Sequence, residues 1–189
     1  MNIEHSTIAN RLQGHPNLFD CSSSEFSTSN GRLALHDRVG WKEDAEHSEQ
    51  SHYDASNVPL LHKDYDGKFD LEKFMLIPML LVVHAAITKG PASAWALKNK
   101  TAPPKAQSVT NLWCLKKTTP GMIASSAIWV NDMFLPVGST TGIEWWLDFD
   151  FYLQYLSEGL QKWKPSVLKI FCVWDKVFYP NDELDMCWV

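Results

Sequence analysis

Apolar positions change their rhythm at about residue 69 of this chain. Ahead of that point they come singly or in short groups, Leu18-Phe19, Leu33-Ala34-Leu35 and Leu60-Leu61, among Ser, Asn, His, Asp and Glu. Behind it they recur at helical spacing. Trp145, Trp146, Phe149, Tyr152, Leu153, Leu156 and Leu160 fall on one wide helical face. Val167, Ile170, Phe171, Trp174, Val177 and Phe178 fall on a second. Lys162-Trp163-Lys164-Pro165 turns the chain between them, Pro165 suits a first helical position, and Pro180 stops the second helix. The pattern predicts a helical hairpin. Thr141 stands three residues before Glu144, the spacing of a capping box.

Upstream, an apolar run from Phe74 to Val83 continues past His84 to Ile87. It predicts a helix over about 71–89, capped by Asp70 and ended by Gly90. Pro78 lies inside it, and an interior proline costs ~3 kcal/mol unless the helix bends or divides there. The run is shorter than the roughly 20 apolar residues of a membrane span, so it reads as a core helix. Pro91 opens a short helix to Leu97, and Thr101 to Lys105 is an extended break. Gln107 to Lys117 fits a helix. Met122 to Phe134 carries a helical stripe of Ile123, Ala127, Val130 and Phe134, with a strand over Ala127 to Val130 as the alternative. Pro136 to Gly142 reads as a loop.

The expected fold is therefore mostly α. An irregular helical domain over 69–182, with a C-terminal helical hairpin, follows a disordered or loosely attached acidic tail over 1–68. Residues 183–189 form a flexible C-terminus. The tail holds too little apolar surface to offset an ordering cost of about 1–2 kcal/mol per residue. Its expected contacts with the domain are Leu33 to Leu35 and Leu60-Leu61.

Composition narrows the class. Hydrophobic residues make 45% of 189, which fits a globular chain rather than a wholly disordered one. Four scattered Cys do not make a disulfide scaffold, and no apolar leader-like run opens the sequence. Both point to an intracellular protein, cytoplasmic or nuclear. Residues 1–68 carry six Lys/Arg against eleven Asp/Glu. From Lys73 to Asn131 there are seven Lys and no acid; from Asp132 to Val189 there are nine acids and four Lys. A basic middle thus precedes an acidic end.

Catalytic signatures are missing. GxSxG, HExxH, GxxxxGK[ST] and GxGxxG do not occur. His84 needs a Ser, Cys or acid partner that spacing does not supply, so a core histidine is the expectation. His47 and His52, with Glu46 and Glu49, are a weak metal pair in a polar stretch, and no metal or cofactor is expected. Asp148 and Asp150, two apart, point to different helix faces and do not make a carboxylate pair with Glu158. Lys98, Lys100, Lys105, Lys116 and Lys117, interleaved with Trp95 and Trp113, suit nucleic-acid contact through phosphate neutralisation and base stacking. No Arg follows Arg38, which weakens a base-reading role. Thr119-Pro120 and Ser22-Ser23-Ser24-Glu25 match short phosphoacceptor patterns.

Three stretches carry a resemblance: VHAAITKGPASAWALKNKTAPPK, TTPGMIASSAIWV and FYLQYLSEGLQKWKPSVLKIFCVWDKVFYPN. From about Met79 to Asn181 the chain resembles an uncharacterised, multi-copy family of mushroom-forming (basidiomycete) fungi. That family has no assigned activity, so the resemblance carries over no site residues. The expected function is a non-enzymatic protein-interaction domain that uses some of its nine Trp at a contact surface, without a membrane. A nucleic-acid-associated protein acting through Lys73 to Lys117 is the second expectation.

Overall fold

A computed structural model describes residues 14–42, 54–102, 116–134 and 142–180. It is mostly helical. The helices are α1 (Ser23–Ser27), α2 (Ser29–Val39), α3 (Pro78–Lys89), α4 (Pro91–Lys98), α5 (Pro120–Phe134), α6 (Gly142–Gln161) and α7 (Pro165–Phe178). Short 3-10 turns cover Pro16–Phe19, Ala55–Asn57 and Pro59–Leu61. Among the described residues there is no strand, and an antiparallel bridge joins His62 to Phe74.

Four of these helices, α3, α4, α5 and α7, begin on a proline. Proline's fixed φ suits the first turn, where its missing N–H would have no helical partner. Pro78 therefore starts α3 rather than bending a longer helix, and Ile77 before it is extended at ψ 132°. The helix expected from 71 is corrected accordingly. Asp70 caps a turn instead: its side chain accepts from Glu72 N at 2.9 Å, and its carbonyl accepts from Phe74 N at 2.9 Å. Gly90 does take a positive φ, 86°, where α3 gives way to α4.

The helix α5 is the hub. It packs against α2, α3 and α6, while α4 lies on α3 and on the Pro16–Phe19 turn. Ile123, Ala124, Ala127, Ile128, Val130, Met133 and Phe134 of α5 are buried, and the strand alternative does not occur. The hairpin expected at the C-terminus is present as α6 and α7, with Tyr152, Leu156, Val167, Ile170 and Trp174 buried. At their junction Gly159 admits Val167. A Cβ built on Gly159 would lie 2.4 Å from Val167 Cγ2 and 2.9 Å from Cγ1.

The core does not start at residue 69. Leu18, Phe19, Leu35, Val39, Val58, Leu60 and Leu61 are buried in the same cluster as α3, α5 and α6. Apolar residues within 14–42 and 54–68 reach this core, Leu35, Leu60 and Leu61 among them where tail contacts were expected, while 1–13 and 43–53 of the expected tail lie outside the described residues. Helix α1 is closed by Ser22 and Glu25, each side chain bonding the other's backbone N–H. Lys98 Nζ holds the first turn, bonding Asp20 Oδ1 at 2.6 Å and the Asn17 carbonyl at 2.5 Å. Arg38 lies 4.9 Å from the Phe134 ring centroid and donates to Cys21 Sγ at 2.9 Å. Tyr152 accepts from Asn131 Nδ2 and donates to the Ala55 carbonyl, both at 2.9 Å, so a buried polar chain joins α5, α6 and the 55–57 turn. The expectations for 107–115, for the 136–141 loop, for Thr141 as a cap and for 183–189 lie outside the described residues.

Candidate functional site

The fold supplies the partner that spacing could not give His84. Its Nδ1 lies 3.3 Å from Ser126 Oγ, and Ser126 Oγ donates to the Met122 carbonyl at 2.8 Å. Ser126 Oγ is thus the acceptor, and His84 Nδ1 carries the proton. The imidazole is enclosed by Trp174 and Phe178 of α7, at centroid distances of 5.1 and 4.8 Å. Its Nε2 is buried without a hydrogen-bond partner. Burial, reinforced by repulsion from Lys89, pushes its pKa down to about 4. A catalytic serine needs its proton taken by the histidine and needs a route for substrate. Here the serine proton goes to a backbone carbonyl, and both side chains are buried. The pair is a neutral joint between α3, α5 and α7.

A cleft of about 250 Å³ is lined by Gly40, Lys42, Asp54, Asn57, Pro59 and Tyr65. Two of its polar groups bond each other, and Asp54 is engaged by the neighbouring Ser56. Tyr65 OH donates to Asn57 Oδ1 at 3.1 Å, and Asp54 Oδ1 accepts from Ser56 N and Oγ at 2.8 and 2.6 Å. Among the described residues no three His, Cys, Asp or Glu side chains gather to hold a metal, and His47 and His52 lie outside them. Glu158 is engaged by Gln154 and Lys162, which lower its pKa, while Asp150 is exposed.

The exposed apolar groups form a different kind of site. On the first half of α6, Leu147 is 63% exposed, Trp146 46% and Phe151 40%. Leu147 and Phe151 are one turn apart, and Asp150 is exposed beside them. Ring contacts run from exposed Phe69 to Phe74 at 5.3 Å, on to Tyr152 at 6.3 Å, and out to exposed Phe151 at 5.5 Å. The buried Phe74 and Tyr152 rings thus touch the outer rings of Phe69 and Phe151 directly.

Of the lysines expected to meet nucleic acid, Lys98 is half-buried and tied to Asp20 and Asn17. Lys100, Lys116 and Lys117 are exposed, and Lys105 lies outside the described residues. Thr119 of the Thr-Pro pair accepts from Met122 N at 3.3 Å as the cap of α5, and Ser22 caps α1.

The fold also gathers four exposed Lys at the α6–α7 hairpin. All four Lys of the acidic 132–189 stretch, Lys162, Lys164, Lys169 and Lys176, lie in the hairpin turn and on α7, and each is exposed. Between them stands Trp163, 58% exposed at a φ of 52°. Two nested backbone bonds end α6 there: Trp163 N to the Leu160 carbonyl at 3.1 Å and Lys164 N to the Gly159 carbonyl at 2.9 Å. Glycine usually fills this left-handed position, and any other residue gives up about 1 kcal/mol or more there. Comparison with protein-family models, curated proteins and solved structures returns no match.

Proposed function

We propose that this chain acts by binding, as an intracellular protein-interaction domain, and that its contact surface is the outer face of α6 at Trp146, Leu147 and Phe151. The observation that carries this reading is their exposure on one helix, with Phe151 backed by the buried Tyr152 ring. Large apolar side chains left in water on a firm support are typical binding anchors, because little entropy is lost when a partner covers them. The sealed His84–Ser126 pair adds support, since it closes a route to serine chemistry. Cys21 is a buried free thiol, which suits a reducing compartment. No helix among the described residues is long and apolar enough to cross a membrane. Membership of the basidiomycete family belongs to the same proposal and rests on the three stretches quoted above.

The test is photo-crosslinking in the cell from position 147. A discrete protein adduct is expected, and Phe151→Asp should abolish it while leaving the melting temperature within a few degrees (about 1 kcal/mol) of the parent. No adduct, or one that survives Phe151→Asp in a folded chain, overturns the reading.

A further inference from the structure

Some 22 Å along α6 from Trp146 the helix ends in the turn that carries Trp163. Three observations converge on that turn. The first is conformational. Trp163 occupies a left-handed position that glycine fills without strain, so an indole is held there against the preference of its own backbone. The second is exposure. With more than half its surface in water, that indole returns little packing for the strain. The third is charge. From Gly159 to Pro180 there are four Lys and one acid, Asp175, and the Asp175 carboxylate is occupied by the Thr118 N–H at 2.8 Å.

The lysines are ordered. Lys162 and Lys164 flank the indole in sequence. Lys169, Val173 and Lys176 follow on the exposed stripe of α7 at i, i+4 and i+7, while the apolar face of that helix is turned into the core. Two carboxylates approach this row, Glu158 at 2.6 Å from Lys162 and Glu72 at 3.8 Å from Lys169. Lys176 extends it beyond those pairs, and Lys164 adds a second positive charge near Glu158. Among the described residues this row sets four Lys against Glu158, Glu72 and Asp175, although the whole chain is acidic.

We infer that the α6–α7 turn and the outer stripe of α7 bind single-stranded nucleic acid. A base stacks on Trp163, and Lys164, Lys169 and Lys176 neutralise the phosphates that follow. An exposed ring between two exposed Lys in sequence, followed by the exposed Lys of α7, matches a ligand that alternates planar bases with anions, and stacking of this kind is indifferent to base identity. An anionic membrane is the poorer fit. Interfacial helices lay a broad apolar face into lipid, and α7 spends that face on Val167, Ile170, Phe171, Trp174 and Phe178 inside the protein. This surface is separate from the α6 face at Leu147 and Phe151, so either can fail without the other.

The experiment is fluorescence anisotropy of a labelled short oligothymidylate with the full chain, at about 50 mM and about 200 mM salt. Binding is expected at the lower salt, with an affinity that falls by about 0.7 log units per log of salt for each phosphate contact. Trp163→Gly removes both the strain and the ring. It should keep or raise the melting temperature and bind about tenfold more weakly. Lys164→Ala with Lys176→Ala should flatten the salt slope. No binding at the lower salt overturns the inference, as does a folded Trp163→Gly chain that binds like the parent. So does tighter Trp163-dependent capture by phosphatidylserine vesicles, or by labelled polyglutamate, than by the oligonucleotide.

Discussion

At the scale of single residues, the burial of His84 has a consequence for stability in mild acid. Its ring is neutral, its Nδ1 proton is given to Ser126 Oγ, its Nε2 is buried without a hydrogen-bond partner, and Trp174 and Phe178 pack on the ring. Adding a proton there places a cation in a low-dielectric joint with Lys89 on the same helix. The folded-state pKa of about 4 lies below the ordinary 6.5. Between those values the unfolded chain binds more protons than the folded one, so stability rises with pH across that window. The contribution, about 3 kcal/mol, is complete above pH 6.5 and is lost as pH falls towards 4. Urea titrations at intervals through this range should show a falling midpoint in the parent. His84→Leu, which cannot titrate, should lose most of that slope; an unchanged slope refutes the assignment. The sequence showed a lone histidine in an apolar run. It could not show Ser126, because a partner 42 residues away is set by how α3 lies on α5.

At the scale of elements, the α6–α7 junction is set by the absence of one methyl group. Glycine inside a helix costs about 1 kcal/mol relative to alanine, so Gly159 opposes the propensity of its own helix. It is kept there by contact: a Cβ would meet three atoms of Val167, all within 3 Å. Val167 is fully buried and β-branched, so it cannot rotate clear. Gly159→Ala should therefore destabilise by about 1–3 kcal/mol in chemical denaturation, despite the better helix former. Val167→Ala in the same chain should recover part of that loss, since the two positions share one space. Full additivity of the two substitutions would show that they do not touch. The hairpin itself was readable, because two aromatic stripes flank a Lys-rich turn ending in Pro165. Pro78 misled for the opposite reason. The apolar rhythm runs on through Leu76 and Ile77, yet the backbone is extended there and only Pro78 begins the helix. Composition by segment likewise hid the cationic turn, since nine acids in 132–189 outweigh four lysines that the fold gathers on α7 and its approach.

At the scale of the whole molecule, the question is whether the aromatic-rich half stands without what precedes it. The residues before 69 that matter are few and unpatterned: Phe19, Val39, Val58 and Leu61 have no exposed surface, and Leu18 and Leu35 have 2%. They enter the core from turns and from a short polar helix, so neither a period of 3.6 nor one of 2 marks them, and their composition looks like that of a solvated tail. Each large apolar side chain contributes about 1.5–3 kcal/mol by burial, and a domain's net stability is about 5–15 kcal/mol. Four such groups are therefore comparable with the whole. The Tyr152 hydroxyl, which donates to the Ala55 carbonyl, would also lose its acceptor. A chain cut to residues 69–189 should keep helical far-ultraviolet dichroism but lose its near-ultraviolet signal and its cooperative melt. Phe19→Ala in the full chain, expected to cost about 3–5 kcal/mol, supplies the same test without a truncation. If the cut chain melts sharply with native aromatic dichroism, and Phe19→Ala is silent, the core belongs to the later residues alone. The packed segments over 14–42 and 54–68 would then only cover its surface.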